Sequence, residues 1–195
     1  MRKQLKELYS AIEEAKADMT GLWALQYMID RGIIEKGMER TLYTTYLASM
    51  FRSVRFGITE AHGRGVAMQF NYLTDEGAIK FNEANGTFSI DHAKIKDSVT
   101  KLTRELLTLE DACAATDMVA ALTSVWEGEG RPVTTKGSMG QQVIHPLIGE
   151  IRTQRAARNA LWRQLKLPDD AAGGESNQQR DAAQSRWSQS HGSGA

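Results

Sequence analysis

Three carboxylates near the start of the chain have types and spacing that could support chemistry. Glu14 and Asp18 are four residues apart, so on a helix they project from the same face. Glu13 lies on the adjoining face. Directly after them, residues 19–29 contain no charged side chain. The acids therefore stand at the entrance to a buried segment, where they could hold a cation, a metal ion or water.

The spacing of these acids has two interpretations. Taken alone, it favours a solvated acidic turn, in which Lys16 and other surface ion pairs screen the charges. The alternative is a binding site, since Ala11, Ala15 and Ala17 are small enough to let another element approach closely. Carboxylate pairs on helices are common, so the residue pattern leaves both interpretations open.

Two ordered motifs resemble those of a known family. Residues 13–18 read Glu-Glu-Ala-Lys-Ala-Asp and are followed by Met-Thr-Gly-Leu. They resemble the Glu-Glu-x-x-Ala-Glu/Asp motif of the dipeptidyl-peptidase III family of zinc metallopeptidases. Residues 46–57 and 60–65 resemble the bacterial and plant branch of the same family. The resemblance extends over residues 1–109 and fades from Glu110 onward.

The resemblance implies a zinc site. In that family a His-Glu-x-x-x-His helix supplies two imidazole ligands and a catalytic Glu, and the later motif supplies the third protein ligand. Carried onto this sequence, Glu14 would be the zinc ligand, and Glu13 and Asp18 would orient the ligand histidines. Zinc in such a site lowers the pKa of bound water and polarises the scissile carbonyl of a peptide.

A lone histidine in the second motif also resembles a family residue. His62, in Glu-Ala-His-Gly-Arg-Gly, matches the histidine that contacts substrate, and Arg64 is its neighbour in that motif. The resemblance therefore implies that His62 and Arg64 bind the peptide. The alternative is a hydrogen-bonded structural histidine, which is the commoner role of a single histidine.

The sequence departs from the family pattern in its histidines. There are four, none of them followed by Glu and no two of them at the spacing of the family motif: His62, His92, His145 and His191. Two ligands and the catalytic base are therefore missing. We expect the chain to be a C-terminal portion of such a protein, to bind zinc weakly or not at all alone, and to need a partner chain for catalysis.

Apolar residues recur at steps of three and four along most of the chain, which predicts a mainly α-helical fold. The fold class expected is a helical, bundle-like part of a metallopeptidase zinc lobe. The predicted helices cover residues 2–31, 35–56, 59–73, 93–109 and 112–126. A small hairpin is predicted where residues 78–81 and 87–90 flank the turn dipeptide Asn85-Gly86.

The domain organisation follows from these elements. Residues 1–126 are predicted to form the helical, metallopeptidase-like domain. Glycines and Pro132 predict a loop or linker over residues 127–146, and a terminal helix is predicted over residues 147–167. Residues 168–195 are poor in apolar side chains, which predicts a disordered tail.

Composition narrows the classes of partner. Lys plus Arg and Asp plus Glu number 24 each, so net charge gives no reason to expect nucleic acid or an acidic membrane surface. The lone Cys113 excludes an internal disulfide and a multi-cysteine metal site. No apolar run reaches the roughly 20 residues that span a bilayer. We therefore expect a cytoplasmic protein without a nucleic-acid or membrane partner.

A rival function comes from a different class. Without the histidine-bearing half, part of the apolar helical surface would lie exposed. The chain could then be a non-catalytic helical interaction module that binds a partner chain or associates with itself. Zinc binding in the presence of a histidine-bearing segment separates this hypothesis from the metallopeptidase one.

Overall fold

A computed structural model describes residues 1–166, and its fold is mainly α, as the sequence predicts. Residues 168–195, predicted to form a disordered tail, lie outside the described residues. The helices are α1 (Arg2–Leu5), α2 (Tyr9–Asp30), α3 (Met38–Val54), α4 (Ala61–Asp75), α5 (Ile95–Gly128) and α6 (Pro146–Gln164), with a 3-10 turn at Lys6–Leu8. The strands are β1 (Ile79–Asn82), β2 (Thr87–Ile90), β3 (Thr134–Lys136) and β4 (Gln142–Ile144).

The described chain divides into two compact units. The first, here called the acidic unit, comprises Glu7–Leu106. The second comprises Met1–Lys6 and the described residues from Leu107 onward. The division falls within α5, whereas the sequence predicts the end of the first domain at residue 126. None of the helices in residues 1–166 is long and apolar enough to cross a membrane.

The acidic unit is organised by a close crossing of α2 and α4. A Cβ added to Gly65 would lie 2.8 Å from the carbonyl oxygen of Ala11 and 3.3 Å from the amide nitrogen of Ala15. Both alanines are buried. Small residues on both helices therefore let the two backbones touch. For α2, the alanines beside the acids predict this close approach. The glycine on the opposing helix completes this contact.

The core of the acidic unit lies between these helices, α3, the first hairpin and the start of α5. Its large buried side chains include Met19, Tyr43, Leu73, Ile79 and Val99. The hydroxyl of Thr103 donates a hydrogen bond to the carbonyl oxygen of Met19 at 3.2 Å. This bond joins α5 to the uncharged segment that follows the acids.

The predicted hairpin is present as the antiparallel pair β1–β2. Asn82 pairs with Thr87 at its end, and Gly86 adopts a φ of 69° in the turn. Phe81 lies opposite Phe88, and their ring centroids are 4.8 Å apart. Cross-strand aromatic pairs of this kind stabilise a short hairpin that would be marginal alone.

Two predicted boundaries were wrong. The helix predicted over residues 2–31 is interrupted at Lys6, which adopts a φ of 48°. The first residues are held instead by Asp117, which accepts hydrogen bonds from the Met1 amino group at 2.9 Å and from Gln4 at 3.2 Å. The two helices predicted over residues 93–126 form one continuous helix, α5. It continues because no Gly or Pro interrupts residues 95–127.

The segment predicted as a loop at residues 127–146 contains the second hairpin, β3–β4. β-branched residues flank its Gly-rich turn, and such residues favour strands. The many glycines of the segment led to the prediction of a loop instead. The predicted terminal helix at residues 147–167 is present as α6. Its start is capped by His145, whose Nδ1 accepts a hydrogen bond from the Leu147 amide at 3.4 Å.

Substituting Gly65 tests the close crossing of α2 and α4. We expect Gly65→Ala to lower the free energy of unfolding by about 1–3 kcal/mol, because the methyl group overpacks the contact. Gly21→Ala on α2 is the matched control, since its Cβ meets no atom within 4 Å. Alanine is the better helix former, so the control should raise that free energy by about 0.5–1 kcal/mol. Urea denaturation measures both, and equal stabilities of the two variants would contradict the close crossing.

The single thiol reports on the packing of α5. Cys113 is buried, and this burial raises the pKa of its thiol. Less thiolate is present at a given pH, so we expect native protein at pH 8 to react with a disulfide reagent at least about tenfold more slowly than protein in urea. Equal rates in the two conditions would show that the residue is accessible.

Candidate functional site

Glu14 and Asp18 lie on one continuous helix, α2, and both face elements of the acidic unit that come later in the chain. The Oε2 atom of Glu14 is 3.4 Å from the Nδ1 atom of His62 on α4. Both side chains are about half exposed, at 50% and 53%. The two residues that the sequence singles out from separate motifs are therefore neighbours.

A hydrogen-bond pattern defines the orientation of the His62 ring. Its Nε2 atom is 3.3 Å from the hydroxyl oxygen of Ser53 on α3. An ionised Glu14 only accepts, so the Nδ1 atom must carry the proton in this pair. In a neutral ring the Nε2 atom then accepts from the Ser53 hydroxyl. The ring is thus held between α2 and α3 in a defined tautomer.

Glu13 is held on a different face from these groups. Lys16 donates a hydrogen bond to its Oε1 atom at 2.8 Å. An ion pair three residues apart on a helix stabilises it only slightly. For this acid the structure has the local lysine pair that the solvated-turn interpretation expects.

Asp18 has a buried partner instead of a surface cation. The side-chain amide of Gln69 on α4 donates a hydrogen bond to the Oδ2 atom of Asp18 at 3.1 Å. The Tyr46 hydroxyl on α3 donates in turn to the Oε1 atom of Gln69. Burial, and then the charge of Asp18, raise the pKa of Tyr46 well above its usual range. The chain of hydrogen bonds therefore links a carboxylate, an amide and a neutral phenol.

These groups border a groove of about 700 Å³ in the acidic unit. Asp18, Tyr46, Ser53 and His62 contribute its polar lining. Its apolar lining includes Leu22, Leu25, Ile29, Ile34, Met38, Leu42, Met50 and Val66. A second cavity of about 470 Å³ adjoins it and shares Ser49, Ser53 and His62. The site is thus an open apolar groove with an acid and an imidazole in its wall.

Arg64 does not join this arrangement. Its Nε atom donates to the carbonyl oxygen of Ile58 at 3.4 Å, and it lines neither of the two cavities. The structure therefore brings together Glu14, Asp18 and His62, of which Asp18 and His62 line the groove. Glu13 and Arg64 do not join this arrangement.

The donor set does not fit a complete catalytic zinc site. Within residues 1–166, no group of three or more His, Cys, Asp or Glu side chains is placed to hold a metal ion. Glu14 and His62 are two suitable donors side by side, but such zinc sites use three protein ligands. Any site of that type would need ligands from a segment outside the described chain.

Sequence reasoning missed Gln69, Ser53 and the hydroxyl of Tyr46. Gln69 carried a usable signal, because it stands between Val66 and Leu73 on the buried side of α4. A polar side chain at a core-facing helical position needs a hydrogen-bonding partner. Its partner could not be identified from the sequence, because it lies on another helix.

Comparisons with known proteins match only a part of each relative. No family model matches the sequence. Nudix hydrolase 3 of Arabidopsis thaliana is 53% identical over 110 residues, which cover 56% of this chain and 14% of that protein.

Two solved structures are similar in fold. Dipeptidyl-peptidase III from Caldithrix abyssi is 37% identical with a TM-score of 0.55. The match covers 78% of this chain and 26% of that protein. Dipeptidyl-peptidase III from Corallococcus sp. strain EGB is 38% identical with a TM-score of 0.54. The match covers 85% of this chain and 30% of that protein. The chain thus spans less than a third of each protein it matches. Its likeness to part of two dipeptidyl-peptidase III structures supports the family resemblance and a relationship to hydrolases.

Proposed function

We propose that this chain is the carboxylate-bearing part of a zinc-dependent peptide hydrolase similar to dipeptidyl-peptidase III, and that it is catalytically incomplete alone. The observation that carries the proposal is the contact between Glu14 and His62 at 3.4 Å. The two residues come from the two motifs on which the resemblance rests. They meet beside a groove large enough for another segment.

Each acid has a distinct role in this proposal. Glu14 is the zinc ligand, and its half-exposed carboxylate is accessible to a metal ion without unfolding. Asp18 orients an imidazole of the incoming segment, and Glu13 supports the same motif from the adjoining face. When bound, zinc would supply a Lewis acid and a water of lowered pKa for peptide hydrolysis.

His62 and Arg64 are proposed to contact the peptide. His62 lies at the junction of the two cavities, where its ring is held by Glu14 and Ser53. With Nδ1 protonated, its Nε2 atom can accept a hydrogen bond from a peptide N–H group in place of the Ser53 hydroxyl. Arg64 reaches the peptide in this proposal only if its bond to the Ile58 carbonyl is exchanged for substrate.

The missing ligands are proposed to arrive on a helix that docks in the groove. Its wall is apolar over most of its length and carries Asp18 and His62. An amphipathic helix fits such a groove when its apolar face packs inward. A His-Glu-x-x-x-His sequence on that helix would bring two imidazoles and a carboxylate to the acids. In this proposal the ligands that residues 1–166 lack belong to the docked helix.

The second candidate function is a non-catalytic helical interaction module. It is favoured by the absence of a three-ligand cluster in residues 1–166 and by the exposed apolar side chains at the groove. Leu25 is 38% exposed and Met38 is 48% exposed. This function needs a docking partner or self-association but no zinc. Metal binding therefore separates the two candidates.

Catalytic incompleteness gives the first test of this function. We expect the purified chain to show no zinc-dependent cleavage of a dipeptidyl naphthylamide, because residues 1–166 hold no group of three side chains placed to bind a metal ion. The measurement is naphthylamine release with and without added zinc. Cleavage that a chelator abolishes and zinc restores would overturn the expectation.

Zinc affinity in the presence of a histidine segment gives the second test. A synthetic helical peptide carrying His-Glu-x-x-x-His is added to the chain, and zinc is titrated against a chromophoric chelator. We expect binding tighter than that of chain or peptide alone, and Glu14→Gln to weaken it by more than about 100-fold, because it removes a ligand. Glu7→Gln is the matched control and should change nothing. Equal affinities of the Glu14→Gln and control variants would leave only the interaction module.

A further inference from the structure

Gln69 is a fully buried amide whose polar atoms are both used. Its side chain is 0% exposed, because it lies on the same face of α4 as the core residues Val66 and Leu73. Burying an amide without hydrogen bonds destabilises the fold, whereas a satisfied amide fixes its neighbours. Here the amide nitrogen bonds Asp18 and the amide oxygen bonds Tyr46. The residue therefore joins three helices through two polar contacts.

The two partners determine which end of the amide faces which way. An ionised Asp18 only accepts hydrogen bonds, so the amide nitrogen must face it. Tyr46 stays protonated because burial raises its pKa, and its hydroxyl donates to the amide oxygen. Turning the amide over would place its oxygen against the carboxylate. Only one orientation of Gln69 satisfies both neighbours.

This orientation has a consequence for the Asp18 carboxylate. Its Oδ2 atom is held by the side-chain amide of Gln69 at 3.1 Å. Asp18 also lines the groove. One oxygen is thus anchored from the core while the carboxylate remains part of the groove wall. An anchored carboxylate loses less freedom when it accepts a further hydrogen bond.

We propose that Tyr46 and Gln69 form a relay that positions Asp18 to accept an N–H group from an imidazole docked in the groove. The proposal rests on the proposed function, because the imidazole belongs to the histidine segment. Both are positioning residues, since their hydrogen bonds lead to the docked imidazole through Asp18. Partners that orient a ligand in this way typically change metal affinity by about 10- to 100-fold.

The first experiment observes the relay in the chain alone, without zinc. The side-chain amide protons of Gln69 are followed by NMR in nitrogen-15-labelled protein and assigned through Gln69→Met. We expect them to exchange slowly with solvent. Tyr46→Phe should speed their exchange by about 3- to 10-fold, the factor that corresponds to one net hydrogen bond. Asp18→Asn should shift their resonance, because the charged acceptor is lost.

The second experiment measures zinc affinity with the His-Glu-x-x-x-His peptide. We expect Gln69→Met to weaken zinc binding by about 10-fold or more, and Tyr46→Phe to weaken it less. In the double variant, Tyr46→Phe should add nothing, because its effect passes through Gln69. Gln26→Met is the matched control. It alters another buried glutamine of the acidic unit, which bonds Asp30 and Glu39 and does not line the groove.

The outcomes of the two experiments are distinguishable. If wild-type chain and peptide bind no zinc together, the proposed function fails and the NMR experiment alone decides the relay. Unchanged amide exchange in Tyr46→Phe overturns the relay. Full additivity of the two substitutions, or an equal loss in Gln26→Met, overturns it as well. Should Gln69→Met fail to fold, Tyr46→Phe still decides, since it removes one oxygen atom only.

Discussion

The contact between the backbones of α2 and α4 at Gly65 is the constraint on which the acidic unit depends. No side chain fits there, since even a Cβ would lie 2.8 Å from the Ala11 carbonyl oxygen. A Cβ added to Gly65 would also lie 3.4 Å from the Cβ atom of Glu14. The residues that carry chemistry therefore flank the tightest point of the helix packing. A wider crossing would separate them.

Two interactions on either side of that crossing give the acids different environments. Glu14 meets the half-exposed His62 beside the groove and is itself about half exposed to solvent. Asp18 is held from the core by Gln69, whose amide is completely buried. One helical face thus presents an accessible carboxylate and an anchored one. This division suits a ligand and an orienting group, the roles that the family resemblance implies for them.

The groove accounts for what the chain lacks as well as what it contains. Its apolar lining is open, and the described residues hold no group of three side chains placed to bind a metal ion. The structures with similar fold are three to four times longer than their matched part, since the chain covers 26% and 30% of them. A docked segment that buries the apolar wall and carries imidazoles would satisfy both features with one element.

The sequence by itself determined the helical class, the first hairpin and the common face of Glu14 and Asp18, because local periodicity and turn chemistry suffice for these. It missed the break at Lys6, which depends on contacts of the first residues with the distant Asp117. It also predicted a break within α5, where no helix breaker is present. Only the tertiary structure paired Glu14 with His62 and Asp18 with Gln69, which are 48 and 51 residues apart. Such pairs depend on how closely two helices approach. That distance was set by small residues on both helices. The alanines of α2 indicate a close approach, but no local pattern identifies Gly65 as the residue that they meet.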